Sequence, residues 1–394
     1  MLRKMTAALC GLLLLCLCFT AAAEDITVPA LEIKSRDIPE NEALQMVRDM
    51  KVGWNLGNTF DAIDCNWLTN KLDYESGWVG VKTSEALIDA LKEAGFRTVR
   101  VPVSWHNHVD ANYVIDADWL DRVQEVVTWI YDRGMYVIIN IHHDEEQFLP
   151  SKAHYDESAR YVESIWRQLA ARFVDYDEHL IMESLNEPRL VGTSYEWNWN
   201  RNSKECKEAA EIINRFNKLF VDTIRASGGN NATRYLSVPA YAGSPWSAAD
   251  EAFQLPNDTV ENRIIVEAHA YTPYNFALNT GSTDHTFDLE KDGSKKNEID
   301  QFLNKMYNRF ISKGIPVMMD EFGALEKSKN TQDRVNFAAY YVAAASARGI
   351  TCVWWDNHVF TGNGERFGLI KRLSMEWVYP DIVLAIMKNC MYNR

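Results

Sequence analysis

One rhythm governs the chain from about residue 50 to 390: apolar, β-branched runs alternate with longer stretches of helical periodicity. The runs are VGWNLGN (52–58), FRTVRVPV (96–103), MYVIINI (135–141), HLIMESL (179–185), RYLSVPA (234–240), RIIVEAHA (263–270), IPVMMDEF (315–322) and ITCVWWD (350–356). Helix candidates lie near 84–94, 118–133, 156–174, 205–226, 296–313, 331–348 and 377–389, with a short one within 245–256. Gly95, Gly134, Gly228, Gly314 and Gly349 stand between a helical stretch and the next run. Glycine accepts the left-handed conformation that closes a helix, so helix–Gly–strand is the expected junction. Runs that read as apolar throughout suit a parallel sheet covered by helices. Eight such units predict an α/β fold, a (β/α)8 TIM barrel, with a doubly wound open sheet as the alternative. No Pro/Ser/Thr-rich linker, internal repeat or low-complexity tract interrupts the pattern, so residues 46–394 are expected to form a single unit.

The ends and the charge narrow the setting. Residues 1–23 begin with Arg3 and Lys4, run apolar from about Ala7 to Phe19 and close on Ala21-Ala22-Ala23. That is the pattern of a signal peptide cut before Glu24, and the apolar run is short for a spanning helix. Residues 24–45 read as a polar leader, either packed on the base of the barrel or loose. A secreted protein, extracellular or periplasmic, is expected, with no membrane association after cleavage. The 394 residues carry 41 Lys+Arg against 55 Asp+Glu, a net charge of −14. Such a surface repels nucleic acid and anionic lipid, and suits a neutral substrate. Cys65, Cys206, Cys352 and Cys390 remain after the leader is removed, too dispersed for a zinc knuckle. Cys65 and Cys206 fall in loops on one face of the expected barrel, and their pairing is one of the possible disulfides. Cys352 reads as a buried thiol.

In a barrel the reactive groups sit at the C-terminal ends of the strands. Those positions here are Asn58, Trp105 with Arg100 inside its strand, His142-His143, Asn186-Glu187, His269 with Tyr271, Glu321 and Trp355. Ordinary turn chemistry would place Gly, Asp, Ser and Asn there instead. Glu187 and Glu321 end the fourth and seventh runs. Two carboxylates facing each other across a barrel mouth meet the requirement of glycosidic hydrolysis, in which one protonates the leaving oxygen while the other attacks or activates water. A carboxyl beside another's negative charge keeps its proton longer, which suits the acid.

These residues resemble a known family. Gly-Trp-Asn-Leu-Gly-Asn-Thr-Phe (53–60), Val-Arg-Val-Pro-Val-Ser-Trp (99–105), Ile-His-His (141–143), Asn-Glu-Pro (186–188), His-Ala-Tyr (269–271), Glu-Phe-Gly (321–323) and Trp-Trp-Asp-Asn (354–357) are similar to the signature set of glycoside hydrolase family 5, in particular its endo-β-1,4-glucanase and xyloglucanase branch. The resemblance implies a retaining β-glucan hydrolase that needs no cofactor and no metal. By it, Glu187 is the general acid/base and Glu321 the nucleophile. Asn186 would hold the sugar 2-hydroxyl, while Arg100 and Tyr271 would keep Glu321 ionised and oriented. His269 would tune Glu187; His142, His143 and Asn58 would line the sugar site, and Trp355 its floor. Asp320 and His358 depart from the family pattern, since glycine is common at both places.

Trp67, Trp78, Trp105, Trp197, Trp199 and Trp246 fall in or beside strand-to-helix loops and suit a cleft for a long polysaccharide, with some of them expected to be buried instead. Trp119, Trp129, Trp166 and Trp377 lie in helical stretches and read as core. A metal-dependent hydrolase using His142, His143 and His269 is the weaker reading, because adjacent residues on a continuing strand point to opposite sides. A non-catalytic glucan-binding protein is weaker still, because both carboxylates are present. A mannanase or other β-glycan hydrolase on the same fold stays open. The expected partner is a β-glucan substrate bound by a monomer.

Overall fold

The computed structural model describes residues 25–393, so the signal-peptide expectation lies outside the described residues. Eight parallel strands, each hydrogen-bonded to the next and the last to the first, close into a barrel. They are β1 (Val52–Leu56), β2 (Thr98–Val101), β3 (Tyr136–Asn140), β4 (Leu180–Glu183), β5 (Leu236–Val238), β6 (Ile264–His269), β7 (Val317–Phe322) and β8 (Thr351–Asp356). The helices are α1 (Glu42–Asp49), α2 (Glu85–Glu93), α3 (Ala117–Asp132), α4 (Tyr155–Arg172), α5 (Lys204–Ala226), α6 (Pro245–Ala248), α7 (Tyr274–Ala277), α8 (Gly293–Arg309), α9 (Thr331–Ser346) and α10 (Pro380–Asn389). All five junction glycines have positive φ, from 65° at Gly134 to 103° at Gly95. At Gly134 and Gly228 a Cβ would have open space, so the backbone angle and not crowding demands glycine there.

Three sequence expectations change. Residues 42–49, assigned partly to the leader, form α1: Asn41 caps it by accepting the Leu44 N–H at 2.8 Å. Its apolar face carries Ala43, Met46 and Val47 into one cluster with Ile138, Ile181, Ile265, Met318 and Val353 inside the barrel, closing the end opposite the strand C-termini. The leader is therefore packed, and its backbone is tied down by Gln332 and Asn389. Trp377 lies not in a helix but in β10 (Glu376–Trp377), which pairs with β9 (Ile370–Lys371), because Pro380 at the first turn sets the start of α10. Cys65 and Cys206 are free buried thiols. The loop after β1 packs the Cys65 sulfur against Gly77, whereas Cys206 sits in the first turn of α5, so the pairing is not made.

Inward and outward positions alternate along each strand. Outward residues such as Val99, Val137, Val266 and Met319 join the large cluster shared with the helices. Above the apolar plug the inward residues turn polar: Asn55, Arg100, Asn140, Glu183, Ser237, Glu267 and Asp320, one from each of β1 to β7, all at 0% exposure. This buried polar layer is the floor of the site.

Candidate active site

The site is built on that floor from Arg100 upward. Its Nε and Nη2 donate to the two oxygens of Glu183 at 2.7 and 2.6 Å, and Nη2 also donates to Asn186 Oδ1 at 2.9 Å. Nη1 donates to Asn55 at 3.0 Å and to Glu321 Oε1 at 2.6 Å. One guanidinium thus fixes the strand-end Glu321 and the residue preceding Glu187. Tyr271 donates its hydroxyl to the other Glu321 oxygen at 2.9 Å. Burial, then the Glu321 charge, drives the Tyr271 phenol well above its ordinary range, so it stays a donor.

Glu187 faces a different partner. His269 Nδ1 lies 2.7 Å from Glu187 Oε1, and Arg189 Nη1 lies 3.9 Å from Oε2. Burial favours the protonated carboxyl, but the hydrogen bond and charge of His269, with Arg189, outweigh it and leave Glu187 below the usual glutamate value. The expectation of a carboxyl that keeps its proton is therefore corrected in direction: the His269 bond and charge favour the ionised form of Glu187. Burial works against the His269 charge, yet Glu321, Asp320 and Glu187 together raise it to about 9. One oxygen of Glu187 and one of Glu321 lie within 4.8 Å of each other and of a His269 nitrogen.

The remaining expected residues gather at the same mouth. His142 is buried, accepts from Asn140 Nδ2 at 3.1 Å and stacks parallel to Trp355, ring centroids 5.8 Å apart. The same Asn140 amide nitrogen donates its other hydrogen to Glu183 at 2.8 Å; an amide nitrogen only donates, so His142 Nδ1 is the acceptor. Burial, followed by the charge of His143, holds its pKa well below the ordinary value, so it is neutral. His143 is raised instead: Glu145, 3.5 Å from its Nδ1, offsets burial. The two rings lie together, centroids 4.4 Å apart, because β3 ends at Asn140 and the strand alternation that would separate them has stopped. Asn58 takes the left-handed conformation, φ 58°, in a turn whose N–H groups from Asn58 and Thr59 donate to Asp61. Gly57 lies against Trp355, where a Cβ would approach the indole to 2.8 Å.

Among the aromatics, Trp67, Trp78, Trp197 and Trp246 are exposed by 66, 39, 58 and 43%. Trp105 is not a cleft residue: it is fully buried, its indole N–H donating to the Asn140 carbonyl at 2.9 Å. Trp199 packs half-buried on Tyr241, and Trp246 lies under the Lys305 ammonium on the flank of α8. Trp119 and Trp166 are core residues as expected, and Trp129 is half-buried under Arg122.

Residues invisible at the sequence level complete the site. Glu183 and Glu267 are strand-interior acids, and Arg189 links Glu145 (2.9 Å), the Glu187 carbonyl (2.9 Å) and the face of Trp197 (4.0 Å). Among the described residues, three groupings bring nitrogen or oxygen atoms within 4.8 Å, as a cation site would: Asp61, His142 and His143; Glu187, His269 and Glu321; Glu183, Glu267 and Asp320. Arg100 contacts acids of the last two and His269 adds a second positive charge, an arrangement that repels a metal ion. Burial and the Glu183 charge raise Glu267 well above the carboxylate range and Asp320 to about 7.

The sequence matches the family described as Cellulase (glycosyl hydrolase family 5) over residues 58–361. It is 44% identical over 365 residues to endoglucanase 1 of Ruminococcus albus, covering 92% of this chain and 85% of that protein. Endoglucanase A of Clostridium longisporum is 39% identical over 363 residues, covering 91% and 68%. The backbone superposes on a family 5 lichenase from Caldicellulosiruptor sp. F32, also solved with cellotetraose, with a TM-score of 0.91 at 51% identity, covering 93% of this chain and 100% of that one. A broad-specificity endoglucanase from Ruminococcus champanellensis with bound cellotriose gives 0.82 at 44% identity, covering 89% and 100%. At these identities and coverages the chain belongs to glycosyl hydrolase family 5, and it is a glycoside hydrolase.

Proposed function

We propose that the protein is a secreted, retaining endo-β-1,4-glucanase acting on cellulose derivatives, mixed-linkage glucan and xyloglucan. The observation that carries the mechanism is the unequal company kept by two carboxylates whose nearest oxygens lie within 4.8 Å. Glu321 accepts from a guanidinium and a phenol, both of which only donate here, so both its oxygens are fixed and it is aimed as a nucleophile. Glu187 is bonded to an imidazole, a partner able to give and take a proton, which suits an acid/base. The short separation favours double displacement over a mechanism that must fit a water between the carboxyls.

Glu321 attacks the anomeric carbon while the glycosidic C–O bond breaks and the leaving oxygen takes the proton held by the Glu187–His269 pair. Water then attacks the glycosyl-enzyme ester, giving its proton back to Glu187 as Glu321 departs. Asn186, fixed by Arg100, is placed to bond the 2-hydroxyl, a contact that tightens as the ring flattens. The substrate class follows from the named relatives, which are endoglucanases and a lichenase, and from exposed Trp67, Trp78 and Trp197 on the strand-end loops. Export is supported by the composition of residues 1–23, with residues 46–394 acting as the catalytic unit.

The test is depolymerisation of barley mixed-linkage glucan, xyloglucan, carboxymethylcellulose and mannan, with proton NMR of the first product formed. The β-anomer should appear first on the glucans. Glu187→Gln and Glu321→Gln should each lower the rate by about 10²–10⁴-fold on glucan. An α-anomer, or near-parental rates in either variant, would overturn the mechanism; preference for mannan would overturn the substrate.

A further inference from the structure

Asp320 and Glu321 are adjacent, yet both side chains reach the interior of the barrel. An ordinary strand would send them to opposite faces. β7 is irregular here: Met319 pairs with Ala268 and Glu321 with His269, skipping Asp320, and on the other side the register jumps from Met319 to Phe322. Such a bulge re-aims side chains, and this one puts a second carboxylate beneath the first.

Asp320 is fully buried, and neither of its side-chain oxygens has a hydrogen-bond partner among the described residues. Oδ2 lies 3.6 Å from Arg100 Nε, and Oδ1 lies 3.5 Å from His269 Nε2, a nitrogen that also lacks a partner. The other nitrogen of the ring holds Glu187 at 2.7 Å and stands 3.6 Å from Glu321 Oε2. The imidazole is therefore interposed between the strand-end carboxyl and a buried one. The other charged or titratable groups around it are Arg100 on β2, His142 after β3, Glu183 on β4, Glu267 on β6 and Tyr271 beyond it, with Arg189 acting on Glu187. Arg100 is already engaged by Glu183 and Glu321, which leaves Asp320 as the carboxylate facing Nε2.

We propose that Asp320 is a positioning residue that acts through His269: it keeps a hydrogen on Nε2 and holds the proton that His269 shares with Glu187. With Nε2–H directed at Asp320, the exchangeable proton is the one on Nδ1. When it crosses to Glu187, the ring is left neutral with its Nε2–H in place. A negative charge at position 320 favours retention of that shared proton, so it extends the alkaline side of the acid step. Loss of the charge releases the proton at lower pH.

This inference rests on Glu187 being the acid/base, and the experiment separates the two. The pH dependence of kcat/KM on barley glucan is measured for the parent, Asp320→Asn and Asp320→Gly, each normalised to its own optimum. The His269 ring is followed by ¹H–¹⁵N NMR in the same samples. The alkaline midpoint should fall by about one pH unit in both variants, a tenfold relative loss at the alkaline end, with the ring titrating lower in parallel. An unmoved alkaline limb, a uniform loss at every pH, or an unchanged ring titration would overturn the proposal. A Glu187→Gln protein with the parental rate would instead overturn the assignment of the acid. If Asp320→Asn does not fold, Asp320→Gly, which suits the bulge, decides alone.

Discussion

Arg100 holds Glu183 in a two-pronged ion pair, Nε to Oε2 at 2.7 Å and Nη2 to Oε1 at 2.6 Å, with both side chains fully buried. Because its third nitrogen reaches Glu321, stability and the proposed nucleophile share one guanidinium. Lysine has a single ammonium and cannot fork. Arg100→Lys should leave one buried carboxylate without its cation, lowering stability by about 3 kcal/mol and kcat/KM by about 10²-fold or more. Urea unfolding and glucan kinetics check the two effects; parental values in either would break the link.

The barrel could be read in advance because its strands are sheathed by helices and its helices stop at glycine. The mouth could be read because polar residues break apolar runs at strand ends. Glu183 and Glu267 could not, since LIMES and IIVEAHA read as buried apolar strands and the inward face is defined only once the sheet closes. The partner of Glu183 is 83 positions away in sequence. Which loop tryptophans turn inward is hidden for a related reason: the sequence does not give the direction of a loop indole, and that of Trp105 bonds the Asn140 carbonyl beneath it. The α1 plug is an amphipathic helix of eight residues whose partner surface is the barrel base itself.

Trp197 is 58% exposed, with the Arg189 guanidinium 4.0 Å from its ring centroid. Arg189 in turn bonds the Glu187 carbonyl, so the indole is tied to the proposed acid/base by one cation. Sugar rings pack on indole, and such a platform contributes to binding more than to bond cleavage. Trp197→Ala should raise KM for polymeric glucan several-fold while kcat stays within about twofold and stability within about 1 kcal/mol. Steady-state kinetics on barley glucan would contradict this if kcat fell and KM did not.

His358 occupies the left-handed region, φ 59°, where glycine carries no steric penalty. Its N–H bonds Asp356 at 2.8 Å, and its ring approaches the Ile370 carbonyl and packs edge-on against Phe360. Both His358→Ala and His358→Gly lose the ring, but only glycine escapes the backbone cost. The glycine variant should be the more stable of the two by about 1 kcal/mol. Thermal or urea unfolding of the pair isolates the backbone contribution, and equal stabilities would refute it.

The Glu145 network gives stability a pH dependence of defined sign. Burial opposes ionisation of Glu145, but His143 and Arg189 outweigh it and lower its pKa to about 2. A folded-state value below the ordinary 4.5 contributes stability that is present above that pH and is lost as pH falls toward 2. His143 is raised, so its share is present below its ordinary 6.5 and fades as pH rises through the folded value. The pair is therefore strongest between these limits, around pH 5–6. Glu145→Gln should cost on the order of 2–3 kcal/mol there, and progressively less as pH approaches 2. Urea unfolding of parent and variant at pH 6 and pH 3 provides the measurement: the gap must narrow at the lower pH, and a constant gap would mean that Glu145 stabilises the fold by packing and neutral hydrogen bonding, without its charge.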